Sequence, residues 1–153
     1  MLAALLKPTW AGLLVLLATN LALWLWVWRV PPIVLTVRRL PLGGLGLALP
    51  GLILLLDDHA TEPVLRHELV HQRQMRRYSP LGTSLLLGWH YGVGFLRLRR
   101  MGRRAFWSLW ATNPLEQEAL REMNRTESLP RIIDWRGKRL GFMAMLRQVL
   151  RKF

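Results

Sequence analysis

The hydrophobic pattern opens on an uncharged run of 21 residues, Pro8–Trp28, set between Lys7 and Arg29. As a helix it would be about 31 Å long, enough for a hydrocarbon core of ~30 Å. Trp24, Trp26 and Trp28 gather at its end, where an aromatic belt would sit. A cleaved leader fits less well, because the apolar part is long and no small-x-small site follows it. The other reading is a buried element of a soluble domain. Arg29, Arg38 and Arg39 follow the run against Lys7 before it, so the positive-inside rule puts the body on the cytoplasmic side. Residues 1–29 are therefore expected to be a membrane anchor and residues 30–153 the working domain.

After the run, Val30-Pro31-Pro32 stops the helix. Ile33–Val37 (IVLTV) is short and rich in β-branched residues, the pattern of a strand. Pro41, Gly43, Gly44 and Gly46 argue against regular helix across residues 40–49. Leu47–Leu49 and Leu52–Leu56 flank Pro50-Gly51, which predicts a hairpin. Asp57-Asp58-His59 reads as a loop leading to Thr61, a good N-cap, with Pro63 in the first turn of the next helix. No Gly or Pro interrupts residues 64–77, and Tyr78–Gly82 ends that helix.

Leu81–Leu96 is a second uncharged run, broken by four glycines and His90. At 16 residues it is short for a span, so it is expected to pack behind the site or dip into the interface. Gly88 and Gly92 have the spacing of a close helix contact. Asn113 caps another helix over Asn113–Arg125, with Pro114 at its first position. Leu140–Leu150 alternates apolar positions with arginines, a basic amphipathic helix. The fold expected from this pattern is α+β: a transmembrane helix, then a small, mostly helical domain with a short hairpin before its first helix.

Composition sharpens the picture in two ways. There is no cysteine, which excludes disulfides, thiolate metal sites and cysteine nucleophiles. The net charge is +13, and three of the 22 basic residues are lysine, so 19 are arginine. Residues 1–60 carry net +2 and the remainder +11. A cationic body behind an apolar leader suits anionic lipid. Arg97, Arg99, Arg100, Arg103 and Arg104 beside Phe106, Trp107 and Trp110 read as a membrane–water boundary or as a solvated turn. Nucleic acid is the competing, less favoured anionic partner.

The chemistry is concentrated in His67-Glu68-Leu69-Val70-His71. On a helix the two histidines share a face one turn apart and can hold one zinc ion, and Glu68 can reach a water on it. The bland alternative is a charged, solvated helix face. A catalytic zinc usually has three protein ligands, so one more is needed. Glu116, Glu118, Glu122, His59 and His90 are the candidates. Glu116 and Glu118 lie about 200° apart on a helix and cannot both face one metal. Asn113-x-x-Glu116 is also a capping-box spacing, which alone would explain a glutamate there.

His67–Gln74 (HELVHQRQ) followed by Asn113–Ala119 (NPLEQEA) resembles the gluzincin metalloproteases, above all their short membrane-associated bacterial members. The resemblance covers roughly residues 47–122 and departs at Leu120, where the family often has Asp or Asn. It implies a zincin-like domain, Glu116 as the third zinc ligand and Leu52–Leu56 as the edge strand that pairs with an extended peptide. It implies a peptidase at a bacterial inner membrane, with zinc as cofactor and Glu68 as general base. Tyr78, His90 and Tyr91 are candidates for the oxyanion donor. The contrasting expectation is a non-catalytic cationic protein, bound to membrane or nucleic acid, whose H-E-x-x-H string is accidental. Oligomeric state and substrate are not written in the sequence.

Overall fold

The computed structural model describes residues 10–40, 44–98, 103–134 and 136. The protein is α+β, mostly helical, with one small mixed sheet. Helix α1 (Trp10–Arg29) is long and apolar enough to cross a bilayer, and almost none of it is buried by the rest of the chain. It runs directly into β1 (Ile33–Val37) through Pro31 and Pro32, which supply no backbone donor to prolong the helix.

The sheet forms as the alternation predicts, but its order differs. Strands β2 (Gly46–Leu49) and β3 (Leu52–Leu56) make the antiparallel hairpin, with Leu49 opposite Leu52. Strand β1 lies parallel to β3 on its other side, and a two-residue strand β4 (Ile133–Asp134) adds parallel to β1. The order is therefore β2-β3-β1-β4. Leu52–Leu56 is an interior strand, which corrects the expectation that it is the edge. Its five apolar residues fit an interior position, with partners on both sides. The edge next to the first motif helix is β2. β4 has no signal in the sequence, since two residues carry no periodicity.

Gly51 makes the hairpin turn with φ +72°, where a side chain is strained, and Trp26 of α1 fills the space a Cβ would need. Beyond β3, Asp57–His59 forms a single 3-10 turn that leads to α2 (Glu62–Tyr78). Thr61 stands at the N-cap as expected, but its side chain makes no capping bond. Val64, Leu65 and Leu69 of α2 pack on Val34, Ile53 and Leu55 of the sheet, which forms the main core. Gln72, 2% exposed, fixes the hairpin to α2: its amide donates to Leu49 O and Leu52 O and accepts from Gly51 N. Burying that amide is tolerable because all three bonds are made.

Ser79 breaks the chain with φ 63°, and α3 (Pro80–Leu98) starts at once. The four glycines do not interrupt it. Among the described residues, a Cβ at Gly88 or Gly92 would meet nothing within 4 Å, so neither makes the close helix contact expected of them, whereas Gly94 packs against Leu109. Helix α4 (Arg103–Thr112), which the sequence pattern did not mark, returns along α3, and α5 (Pro114–Glu122) follows. α5 ends three residues earlier than expected. The amphipathic segment 140–150 and Lys7–Pro8 lie outside the described residues, as do Arg99 and Arg100.

The C-terminal half of α1 is built into the domain. Trp24 and Trp28 donate their indole N–H groups to Arg76 O at 2.7 and 3.1 Å, and Arg76 Nε donates to Val27 O at 2.8 Å. Asn20 Oδ1 accepts from Leu81 N at 2.8 Å, satisfying one of the free donors at the start of α3.

Candidate metal centre

Helix α2 presents His67 and His71 one turn apart, with ring centroids 4.9 Å apart and planes at 81°. Their Nε2 atoms are 3.2 Å from each other. α5 crosses α2 so that Glu116, at its first turn, faces the same point. Glu116 Oε2 is 3.2 Å from His67 Nε2 and 3.6 Å from His71 Nε2. Among the described residues this is the group that could hold a metal ion.

The capping alternative for Glu116 fails on where the groups go. Asn113 Oδ1 caps α5 by accepting from Leu115 N at 2.9 Å, while Asn113 N donates to Trp110 O. In a capping box the Glu116 carboxylate would take that N–H. Glu116 turns instead to the histidines, and its Oε2 is buried without a hydrogen bond.

Gln74 settles the proton on His71. Its Nε2 donates to Leu115 O and to Glu118 Oε2, both at 2.9 Å, so its Oε1 must be the atom 2.8 Å from His71 Nδ1. Nδ1–H of His71 is therefore the donor, and in the neutral ring Nε2 keeps its lone pair for the shared point. The lone pair of His71 Nε2 and the carboxylate of Glu116 thus face each other in a buried place, with His67 Nε2 beside both. Such a set repels itself until a proton or a cation joins it. Burial alone would lower the basicity of His71, but Glu116 and Gln74 outweigh it and raise its pKa. Burial pushes Glu116 up, yet His67 and His71 hold its carboxyl down at about 2. His67 Nδ1 is buried without a partner.

Comparison with family models, curated proteins and solved structures gives no match.

Glu68 is 5% exposed and lies on the sheet side of α2. Burial raises its pKa, and the neighbouring charge of Glu116 adds to this; His71, His67 and the Ala48 amide N–H pull the other way. β2 lies directly over this carboxyl: a Cβ at Gly46 would stand 2.5 Å from Glu68 Oε1. Gly46 is thus required by close approach. Gly46→Ala is expected to push the carboxyl aside while leaving metal content unchanged. If the site hydrolyses peptides, that activity should fall on the order of 10²-fold, the cost of a misplacement near 1 Å. Metal analysis and a peptide assay on the same preparation check both halves.

The other candidates lie elsewhere. His59 is exposed at the 3-10 turn. His90 Nε2 is bound to Leu109 O at 3.0 Å, a structural bond between α3 and α4. Glu122 pairs with Arg73 and Arg125. Among the described residues Glu118 reaches the site through Gln74, which donates to its Oε2. Of the oxyanion candidates, Tyr78 is 37% exposed beside Arg77, whereas Tyr91 is close enough to feel the charge of Glu116. Sequence reasoning missed Gln74 and Gly46. Gln74 falls three residues after His71, on the same helix face, and that spacing was its signal.

Proposed function

We propose that the protein is a zinc-dependent, gluzincin-like metallopeptidase with a zincin-like domain, acting on peptides at the cytoplasmic face of a bacterial inner membrane. The observation that carries this reading is the triangle of His67 Nε2, His71 Nε2 and Glu116 Oε2, with edges of 3.2, 3.2 and 3.6 Å. Ligands about 2.0–2.1 Å from a tetrahedral ion stand about 3.4 Å apart, which is what nitrogen and oxygen ligands on zinc require. Calcium prefers more oxygens at longer range, and magnesium prefers oxygen and water, so the donor set favours zinc.

His67, His71 and Glu116 would hold the ion; Gln74 holds His71 in the ligating tautomer. Bound zinc would supply a water acidified toward pKa ~7 and polarise a carbonyl. Glu68, with its raised proton affinity, is suited to take the proton and deliver it to the leaving amine. Strand β2, the end strand of the sheet, lies beside Glu68 and is the strand an extended peptide would pair with, the role first expected of Leu52–Leu56. Tyr91, close enough to feel the charge of Glu116, is the oxyanion candidate. Membrane attachment is supported by the length and exposure of α1 and by Arg29, Arg38 and Arg39 after it.

The test is metal analysis of the purified full chain together with hydrolysis of an unstructured polypeptide such as casein. Close to one zinc per chain and chelator-sensitive cleavage are the expected results. Absence of metal after zinc is offered would leave a cationic membrane protein with an accidental motif.

A further inference from the structure

A cavity of about 270 Å³ opens where the end of α1 meets α2 and the chain before β4. Arg29, Arg73, Arg76 and Arg131 surround it, and no carboxylate lines it. Its floor is the buried Leu69 and Gln72, and Trp28 stands at its side. The guanidinium groups are only partly engaged. Arg76 spends its Nε on Val27 O, and Arg73 meets Glu122, which is shared with Arg125. Neither Arg29 nor Arg131 forms an ion pair with the described residues. Each guanidinium offers five donors in a fixed fork that suits phosphate oxygens. With Arg73 shared out to Glu122, Arg29, Arg76 and Arg131 around one hollow still repel each other unless an anion sits among them.

The place of the cavity says which anion. It lies at the level of Trp28 and Arg29, the end of the helix that the membrane reading puts at the headgroup boundary. From its side an apolar stripe climbs α1 through Leu25, Leu21, Leu17 and Leu14, spaced three or four residues apart on one face. All four leucines are exposed, at 44, 51, 49 and 66%. A free phosphate ion has no use for such a track; an acyl chain does. We infer that this cavity binds the phosphate headgroup of an anionic phospholipid, with Arg29 and Arg131 as its main ligands and the lipid chains lying along α1. The inference rests on the membrane part of the proposed function, that α1 enters the bilayer, and not on the metal.

The experiment uses the full chain reconstituted into phosphatidylcholine vesicles with 20 mol% phosphatidylglycerol, an arbitrary bulk ratio of about one in five chosen within the surface-charge regime. The protein is then extracted in mild neutral detergent, and the lipid it carries is weighed by mass spectrometry. The wild-type chain should carry phosphatidylglycerol enriched about tenfold over the bulk ratio, the yield of one charge-assisted contact. Arg29→Gln/Arg131→Gln should return to the bulk ratio, and Arg131→Gln, which leaves α1 untouched, should lose most of the enrichment. Arg38→Gln/Arg121→Gln removes the same charge away from the cavity and should keep it. Equal loss in both pairs would mean diffuse surface attraction and overturn the site. Displacement of the lipid by millimolar inorganic phosphate or by an oligonucleotide would overturn the lipid assignment. Carbonate extraction of the same vesicles reads insertion separately: a carbonate-resistant chain without enrichment sinks the cavity alone, and an extractable chain sinks the membrane reading with it.

Discussion

Glu68→Gln is expected to keep its metal and lose hydrolysis by roughly 10²–10⁴-fold, the usual contribution of a positioned acid–base group. The substitution keeps shape, so the Ala48 N–H still finds an oxygen and β2 stays in place over the side chain. What is lost is the ability to take a proton. The buried carboxyl is raised in pKa by desolvation first and by Glu116 second, which makes it a better base than an exposed glutamate. Zinc content and cleavage rate, measured together, check the result. Loss of zinc from this variant would mean that Glu68 is a ligand and that the roles are misassigned. Full activity would remove it from the chemistry.

Glu116→Ala should weaken metal binding by at least ~100-fold, more than the ~10–100-fold typical of outer-shell losses. Glu118→Ala should cost less than about tenfold, because Gln74 still has Leu115 O to hold its amide in place. The reverse ranking in a metal titration would transfer the third position to Glu118. Acid should mimic the first variant. His71 must lose its proton to bind a metal, and its pKa is raised by Glu116. Metal affinity should therefore fall as pH drops through that raised value, about tenfold per pH unit for each proton displaced. Glu116, held at about 2, stays ionised through that range and does not add to the loss.

Much of the local structure was legible because local rules decide it. Ile33–Val37 and Leu52–Leu56 are strands with the expected bounds, and Asn113-Pro114 starts a helix with the expected cap. The two histidines share a face because a helix of 3.6 residues per turn gives them no other arrangement. The partners of these elements were harder to read. Nothing in LILLL says that β1 takes its second side, since parallel pairing depends on α1 and the sheet closing together. Glu116 and Glu118 could be separated only once α5 crossed α2, because helix crossing is a tertiary fact and both spacings are locally sensible. Gly46 looked like a loop residue; only the approach of Glu68 shows why it has no side chain. The Arg97–Arg104 cluster and the basic segment 140–150 stay expectations of the sequence.

The bonds from Asn20, Trp24, Val27 and Trp28 into α2 and α3 bear on how far the domain can wander. A tethered enzyme on a loose leash sweeps a hemisphere and meets substrates at any height within it. Here the stem is riveted at four points along its last turns, and two prolines lead straight from it into the sheet. The stem and α2 turn as one piece. With α1 in a bilayer, the candidate metal centre would sit at a fixed height above the lipid, and the peptidase proposed above would act there as a gauge, cutting chains at a set distance from where they leave the membrane.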